Sequence, residues 1–477
     1  MITRYDSLPL GGDWVAPATR TTIRVVSPNT EEPIGEVPAA GPADADAAVA
    51  AARAAFPAWR DRAPAERAAH LRRFADLIEA RKDRFAEVVS SQNGMPMAVA
   101  SQLEALYPAL LLRYYAGLAA AQQEENRQGL LGGTIKVLRE PVGVVAAIVP
   151  WNFPQTLGFM KIAPALAAGC TVVVKPSPET VLDAFLLART AIDAGLPPGV
   201  LTIVPGGRDL GAHLVAHPGV DKVAFTGSTA AGREIAQTCG RLLRPVTLEL
   251  GGKSAAIVLD DAELDLGTIG GDLFVATLAN NGQTCFLGTR VLAPRHRYAE
   301  VVDVFTEFAR SMSVGDSLDP GTQIGPLVTA RQRDRVEACI ARGRAEGARV
   351  TTGGGRPAGR DRGWFVEPTV FADVGNEAAV SREEIFGPVL TVIPYRDEEE
   401  AVRMANDSDY GLGGTVWSAD ADRALRVARR VRTGTIGINR YMPDPAAPFG
   451  GVKASGIGRE LGPEGMAGYQ QLKSVYC

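Results

Sequence analysis

The hydrophobic pattern of the chain alternates between short strand-like runs and longer helix-like stretches. The first alternation has five β-branched runs, at 142–149, 171–174, 201–204, 222–226 and 246–250. Turn motifs such as "KPSPET" and "FTGSTAAG" follow them. Alternating strands and helices predict a parallel, doubly wound sheet, which binds ligands beyond the carboxyl ends of its strands.

A second alternation, from about 254 to 438, predicts a second α/β domain. Its strands read "AAIVL", "RVLAP", "FVEPTVF", "PVLTVIP" and "GTIGI", with helices at 329–346 and 420–430. Residues 44–92 also carry apolar positions at helical spacing, and "TTGGGRPAGRDRG" predicts an exposed loop. A chain of 477 residues exceeds one hydrophobic core, so two or three domains are expected.

The composition argues against two classes of binding partner, nucleic acids and membranes. The chain is 46% hydrophobic and 22% charged, with a net charge of -4 and both signs interspersed. Without a basic stripe we expect no nucleic-acid partner. The apolar stretch "VGVVAAIVP" is far shorter than a membrane span, so no membrane partner is expected either.

Cysteine usage indicates a reducing compartment. The five cysteines, at 170, 239, 285, 339 and 477, are widely spaced and odd in number, which suits neither a disulfide framework nor a metal site. The start "MITRYDSLPLGGDW" has no apolar core of a secretory signal. We therefore expect a cytoplasmic protein without a bound metal.

Cys285 has unusual neighbours. In "NNGQTCFLGTR", residues 280–290, polar and glycine residues precede it, whereas core cysteines usually lie among aliphatic residues. The pattern leaves two interpretations, a nucleophile or a buried thiol near a turn. None of the four histidines lies in a matching motif, so a Cys–His protease dyad is poorly supported.

The stretch "TLELGGKS", residues 247–254, resembles a nucleotide-binding P-loop only superficially. That motif needs a glycine six residues before the lysine, and Thr247 stands there. What remains is Glu249 at a strand end, followed by two glycines that allow a close approach. Glu249 is either a general base with a raised pKa or a structural carboxylate paired with a lysine.

Three further turns carry candidate groups. In "FTGSTAAG", Gly227 and Ser228 open a helix whose N-terminus suits a pyrophosphate, although Thr229 replaces the middle glycine of a dinucleotide motif. Lys175 follows a strand and faces either a cleft or solvent. Asn152, in "PWNFP", either donates to an oxyanion or satisfies its own turn.

Seven motifs in order resemble the NAD(P)-dependent aldehyde dehydrogenase superfamily. They are "PWNFP", "KPSPET", "FTGSTAAG", "LELGGKS", "GQTC", "EEIFGPV" and "PFGGVKASGIGRE", and the resemblance covers essentially the whole chain. It implies a Rossmann-type parallel-sheet cofactor domain (1–118 and 142–251), an α/β catalytic domain (252–455) and a small β oligomerisation arm (119–141 and 456–477). A homodimer or homotetramer is expected, because a lone hairpin usually finishes its burial on a partner subunit.

The resemblance also implies a mechanism. The Cys285 thiolate attacks the aldehyde carbon, and the Asn152 amide and the Cys285 N–H hold the oxyanion. Hydride leaves to the nicotinamide, and Glu249 activates the water that hydrolyses the resulting thioester. On this interpretation the polar neighbours of Cys285 are the setting that an oxyanion-binding nucleophile needs. A low-pKa Cys285 should then react with iodoacetamide faster than the other four thiols.

By the same resemblance, six residues bind the cofactor: Trp151, Lys175, Gly227, Ser228, Glu384 and Phe386. The cofactor is expected to be NAD, with NADP possible. Pro178 stands where strongly NAD-preferring members carry a glutamate, and the acid here is Glu179, one residue later. A 2′-phosphate would therefore meet less repulsion.

The substrate pocket implied by the resemblance is mostly apolar, which favours a neutral aliphatic or aromatic aldehyde. Its expected lining is Phe153, Leu157, Met160, Thr284, Phe286 and Met442. Arg440 would allow an acidic semialdehyde if it pointed inward. A coenzyme A-acylating semialdehyde dehydrogenase is disfavoured by the presence of Glu249. An inactive structural family member is disfavoured by the presence of Cys285, Glu249 and Asn152.

Overall fold

The computed structural model of the chain describes residues 2–122 and 124–477. The helices, numbered along the chain, are α1 Pro42–Arg60, α2 Pro64–Ala80, α3 Lys82–Asn93, α4 Met97–Ala100, α5 Tyr107–Ala121, α6 Pro154–Ala168, α7 Leu182–Asp193, α8 Arg208–Ala216, α9 Thr229–Arg241, α10 Leu266–Thr277, α11 Tyr298–Ser311, α12 Ala330–Ala345, α13 Ala379–Arg382, α14 Glu398–Asn406, α15 Ala421–Ala428 and α16 Gly462–Ala467. The strands are β1 Thr3–Arg4, β2 Leu8–Leu10, β3 Asp13–Val15, β4 Thr22–Val26, β5 Pro33–Pro38, β6 Glu125–Gln128, β7 Thr134–Pro141, β8 Val144–Ile148, β9 Thr171–Lys175, β10 Leu201–Ile203, β11 Lys222–Thr226, β12 Val246–Glu249, β13 Ala255–Val258, β14 Arg290–Pro294, β15 Arg349–Thr352, β16 Thr369–Ala372, β17 Val389–Tyr395, β18 Gly414–Trp417, β19 Gly437–Ile438, β20 Gly456–Ile457 and β21 Gln470–Tyr476.

A six-stranded sheet in the order β10-β9-β8-β11-β12-β20 contains all five runs of the first alternation. Its first five strands are parallel, and β20 pairs antiparallel with β12. Successive residues of β8 face opposite cores: Val145 packs with α2, α5 and α6, whereas Val144 packs with α1 and α8. Helices thus cover both faces, which explains why this strand is buried throughout.

A seven-stranded sheet in the order β15-β16-β17-β14-β13-β18-β19 forms the second α/β unit. All its strands are parallel except the edge strand β15. The expected strand "FVEPTVF" is shorter in the structure and begins at Thr369, directly after Pro368, which cannot donate to a ladder. The predicted α/β fold with two parallel sheets is confirmed.

The two segments expected to form the arm, 119–141 and 456–477, contribute to more than one element of the fold. Strands β6, β7 and β21 form an antiparallel sheet in the order β21-β7-β6. However, α5 continues to Ala121, and β20 joins the six-stranded sheet, where Gly456 lies opposite Glu249. Helix α16 packs on α6 and buries Met466. Within 456–469, Leu461, Met466 and Tyr469 are buried, whereas Ile457 of β20 is 54% exposed.

All five cysteines are free thiols; three are buried, Cys285 is half-buried and Cys477 is exposed. Among the helices of residues 2–122 and 124–477, none combines the length and the apolar character needed to cross a membrane.

Candidate active site

The loop that carries Cys285 is conformationally strained. Asn280, Asn281 and Gly282 have left-handed backbones, with φ of 53°, 60° and 71°. Such conformations persist only where surrounding contacts hold them. The Asn281 side chain supplies two of these contacts, donating to the Gly94 carbonyl at 2.8 Å and accepting from the Gly325 N–H at 2.6 Å.

Two more polar neighbours of Cys285 tie the loop to other segments. The Asn280 amide donates to the Asn152 carbonyl at 2.8 Å, and the Gln283 side-chain oxygen accepts from the Val328 N–H at 3.1 Å. These side chains therefore hold the loop that carries Cys285 in place. Sequence reasoning missed their role, although their polar character beside an expected nucleophile was the available signal.

Asn152 extends its side chain across to this loop. Its amide nitrogen donates to the Gln283 carbonyl at 2.9 Å and so does not satisfy its own turn. The bond uses one of the two amide N–H groups, which leaves a second donor for an oxygen of a substrate. Asn152 and Cys285 line the same cleft.

That cleft has mostly apolar walls. All six residues expected from the sequence line it: Phe153, Leu157, Met160, Thr284, Phe286 and Met442. Five residues that the sequence interpretation missed complete the wall: Leu103, Tyr107, Thr156, Pro443 and Phe449. Only Phe449 lies within a quoted motif, so the motifs carried no signal for the other four.

Arg440 does not contribute to the cleft. The residue is exposed, and it is absent from the lining, whereas the nearby Met442 and Pro443 are part of it. The possibility that Arg440 selects an acidic semialdehyde therefore has no support in this arrangement. Below the mouth, Phe286 packs edge-on against Tyr441 and Phe449, with ring centroids 4.8 Å and 6.3 Å apart.

The electrostatic environment of Cys285 differs from the expectation. Burial raises the pKa of its thiol, and the carboxyl groups of Glu384 and Glu249 raise the pKa further. These effects oppose the low thiol pKa expected from the sequence. A proton acceptor must remove the thiol proton before or during attack on a carbonyl carbon.

Glu249 ends β12 and is 2% exposed. Neither carboxyl oxygen has a hydrogen-bond donor within the described ranges. Burial raises the pKa of this carboxyl well above its usual range, the neighbouring Glu460 raises it further, and Lys161 lowers it. Lys161 itself is paired with Glu460, at 2.8 Å, and donates to the Thr226 hydroxyl at 2.6 Å. The nearby lysine is thus engaged elsewhere, and Glu249 has the properties of a general base.

The two glycines after Glu249 allow the close approach that the sequence suggested. A Cβ on Gly252 would collide with the carbonyl oxygen of Cys285, and one on Gly251 would lie 2.5 Å from the Glu384 carboxylate. Any side chain here would push the end of β12 away from the Cys285 loop.

The expected phosphate-binding turn lies at the carboxyl edge of the six-stranded sheet. The Gly227 N–H donates to the Glu249 carbonyl at 3.0 Å. Ser228 caps α9, and its hydroxyl accepts from the Ala231 N–H at 3.3 Å. The free N–H groups of the first turn of α9 suit a pyrophosphate.

Lys175 ends β9 at the same edge. Its ammonium donates to the carbonyls of Pro176 and Gly206, at 2.8 Å each, and burial lowers its pKa to about 8. The alternative of a simple surface lysine is therefore wrong, since the side chain is 6% exposed.

The remaining cofactor candidates lie close to Cys285. The Glu384 Oε1 accepts the Gly252 N–H at 2.9 Å, which leaves its second oxygen available to a ribose hydroxyl. Trp151 and Phe386 pack edge-on with centroids 5.4 Å apart. The α9 N-terminus and the Lys175 ammonium lie at the edge of the six-stranded sheet, and the Glu384 carboxylate reaches Gly252 from the second α/β unit. Together these groups fit the pyrophosphate and ribose groups of a dinucleotide.

Sequence comparison assigns this arrangement to one family. The profile of the aldehyde dehydrogenase family matches residues 14–475. The chain belongs to the aldehyde dehydrogenase family. It is 58% identical over 479 residues to geranial dehydrogenase of Castellaniella defragrans, covering 100% of this chain and 99% of that relative.

Solved aldehyde dehydrogenases share the whole fold. The Mycobacterium tuberculosis aldehyde dehydrogenase in complex with NAD+ superposes with a TM-score of 0.97 at 48% identity, covering 100% of this chain and 99% of that one. A mutant of Pseudomonas syringae aldehyde dehydrogenase C with NAD+ and octanal gives a TM-score of 0.95 at 40% identity, covering 99% and 96%. These comparisons confirm the expected fold, the enzyme class and NAD as the cofactor. This aldehyde dehydrogenase oxidises an aldehyde to the carboxylic acid.

A second group of possible ligands lies away from this site. Asp46 of α1 accepts from the Nε2 of His213 at 2.6 Å, and the Nε2 of His217 lies 3.3 Å from the same oxygen. The Gly219 N–H donates to the Nδ1 of His217 at 2.9 Å. This bond places the ring proton on Nε2, so His217 offers a donor there and not a metal ligand.

Proposed function

We propose that this aldehyde dehydrogenase oxidises apolar aldehydes, of aliphatic or terpenoid type, through Cys285. The observation that carries the proposal is the cleft around Cys285, whose walls are aromatic and aliphatic side chains such as Phe153, Leu157 and Phe449. Such walls favour apolar substrates because burial of each CH2 contributes about 0.8 kcal/mol. Geranial gives one relative its name, and octanal is bound in the complex of another; both are apolar aldehydes and support the same substrate class.

In the proposed chemistry the Cys285 sulfur adds to the aldehyde carbon, and the thiol proton leaves to a nearby acceptor. The carbonyl oxygen becomes an oxyanion that accepts from the free Asn152 N–H and the Cys285 N–H. Bound NAD would supply the acceptor for the hydride of that carbon, whose loss leaves a thioester on Cys285. Water then attacks the thioester, its proton passes to Glu249, and the acid leaves as the Cys285 thiol re-forms.

The cofactor would be held along the sheet edge. The first turn of α9, after Gly227 and Ser228, suits the pyrophosphate, and Lys175 suits the adenosine ribose. The free oxygen of Glu384 suits the nicotinamide ribose, with Trp151 and Phe386 beside it. NADP use is a secondary proposal that rests on Pro178. Here Glu179, the neighbouring acid, accepts from the Ser177 hydroxyl at 2.5 Å and lies 3.7 Å from Arg331.

We also propose the division into a cofactor domain, a catalytic domain and an arm, with the arm limited to β6, β7 and β21. Strand β21 is almost wholly exposed, including Leu472 and Tyr476 at 62% and 78%. Exposed apolar side chains on an antiparallel ribbon support burial against a second copy, in a homodimer or homotetramer. Light scattering of the purified enzyme tests this oligomeric state.

The free thiols support a reducing, cytoplasmic compartment.

The experiment is NADH formation by absorbance, without coenzyme A, across straight aldehydes of increasing length, geranial and carboxylated semialdehydes. We expect kcat/KM to rise by about fourfold per added CH2 until the cleft is filled, and Cys285→Ala to abolish the signal. Preference for a carboxylated semialdehyde would overturn the proposed substrate class. A strict requirement for coenzyme A would overturn hydrolysis by Glu249.

A further inference from the structure

Helix α6 begins immediately after Asn152 and Phe153 but has no capping side chain of its own. Phe153 occupies the N-cap position, Pro154 the first helical position, and neither supplies a side-chain acceptor. The first N–H groups of a helix need partners from outside the helix. In a buried helix start such as this one, an unpaired N–H would be costly.

Glu104 provides these partners from another segment of the chain. Its Oε2 accepts the Gln155 N–H at 2.7 Å, and its Oε1 accepts the Thr156 N–H at 3.3 Å. The Thr156 hydroxyl donates to the Leu103 carbonyl and ties the same two segments together. Glu104 is fully buried, and a carboxyl group at a helix N-terminus also interacts favourably with the helix dipole.

Glu104 lies in a π-helical segment, Ser101–Leu106, between α4 and α5. Such segments are rare and occur often at functional sites. This one contributes Leu103 to the substrate cleft, and Tyr107 follows as the first residue of α5. The segment that caps α6 therefore also forms part of the substrate wall.

A neighbouring carboxylate belongs to the same polar cluster but makes different contacts. Asp183 accepts from the side chains of Gln92, at 2.5 Å, and of Gln155. It makes no hydrogen bond to the α6 main chain within the described ranges. Burial raises the pKa of Glu104 well above its usual range, and the Asp183 charge adds to this, while the Gln155 N–H lowers it. Asp183 is thus a matched control for Glu104.

We infer that Glu104 is a positioning residue: by capping α6 it fixes the Asn152 amide relative to Cys285. The inference rests on the proposed oxyanion role of Asn152. The physical basis is that the Asn152 backbone leads directly into the capped first turn of α6, since only Phe153 and Pro154 separate Asn152 from the capped N–H groups. A helix start released from its cap would shift the amide, and a displacement of about 1 Å at a reacting centre can cost about a hundredfold in rate.

The test measures the pre-steady-state burst of NADH with saturating NAD and octanal, together with the Kd for NAD and the melting temperature. We expect Glu104→Ala to slow the burst by about ten- to a hundredfold while the Kd for NAD stays near wild type. Glu104→Gln should slow the burst less than Glu104→Ala, since the glutamine amide oxygen still accepts one N–H. Asp183→Asn should lower the melting temperature without slowing the burst comparably.

A double-mutant cycle with Asn152→Ala separates positioning from a merely structural role. If Glu104 acts through Asn152, replacing Glu104 should slow the burst of the Asn152→Ala enzyme by no more than about twofold, within the additivity error of such cycles. Glu104→Gln serves in the cycle if Glu104→Ala does not fold. The inference would be overturned if replacing Glu104 slowed the burst equally in the wild-type and the Asn152→Ala enzymes. It would also be overturned if Asp183→Asn slowed the burst as much as Glu104→Ala. A wild-type burst in Asn152→Ala alone would instead overturn the proposed oxyanion role.

Discussion

The Lys161 ammonium lies 2.8 Å from the Glu460 Oε1, and both side chains are at most 1% exposed. The pair is adjacent to Glu249 and acts on it with opposite signs: the Glu460 charge raises the Glu249 pKa, and the Lys161 charge lowers it. The two charges thus oppose one another in setting the pH at which the proposed base becomes a carboxylate.

The first prediction concerns the opposing effects of Glu460 and Lys161 on the pKa of Glu249. Glu460→Gln should lower the pKa of Glu249 and move the rising limb of kcat against pH to lower pH. Lys161→Met should raise that pKa and move the limb to higher pH, because the base works only when deprotonated. Lys161→Met should also destabilise the fold by about 3–5 kcal/mol, since it leaves an unpaired buried charge. The pH profiles are measured where thioester hydrolysis limits turnover; shifts of both variants in one direction would contradict the prediction.

The second prediction separates the two halves of the reaction. Glu249→Gln keeps the shape of the side chain but removes the proton acceptor for water. We expect a retained NADH burst and a steady-state rate lower by about a hundredfold to ten-thousandfold, the usual contribution of a general base. Stopped-flow absorbance gives both quantities. Glu263→Gln, on the surface, is the control, and near-normal turnover in Glu249→Gln would assign the base to another group.

Much of the fold and of the site could be predicted from the sequence. Strands β8 to β12 coincide with β-branched runs, because strands buried on both faces are apolar at nearly every position. The three proposed catalytic groups stand in contiguous motifs, which local sequence can identify. By contrast, the lining of the cleft by Leu103 and Tyr107 depends on how the segment Ser101–Leu106 and α5 pack against α6, and no local pattern records those contacts.

The charge state of Cys285 also could not be predicted. Its polar neighbours suggested a solvated, activated thiol, but Asn280 and Gln283 direct their side chains to other segments. Two carboxyl groups distant in sequence, Glu249 and Glu384, face the thiol instead and raise its pKa. Such an effect arises from tertiary structure, since a pKa depends on which charges the fold brings together.

The third prediction follows from that environment. In the enzyme without cofactor, iodoacetamide should modify the exposed Cys477 before Cys285, because only thiolates react and the Cys285 pKa is raised. The Cys285 rate should keep rising with pH beyond the range in which an ordinary thiol is fully ionised. Peptide mass spectrometry over time measures both rates, and Cys477→Ser removes the competing site. Preferential labelling of Cys285 at neutral pH would restore the original expectation of a low pKa.

The last prediction concerns the mouth of the cleft, where the Tyr107 hydroxyl donates to the Pro443 carbonyl at 3.1 Å. This bond joins α5 to the loop that carries Met442, which is 49% exposed at the rim. Tyr107→Phe removes the bond but keeps the ring in the wall. A hydrogen bond of this kind contributes about 0.5–1.5 kcal/mol, so the KM for octanal should rise by about two- to tenfold. The kcat should stay near wild type, because Asn152, Cys285 and Glu249 are untouched.

Tyr114→Phe, on the same helix, is the matched control. A fall in kcat with KM unchanged would show that the bond serves the reacting centre and not the rim.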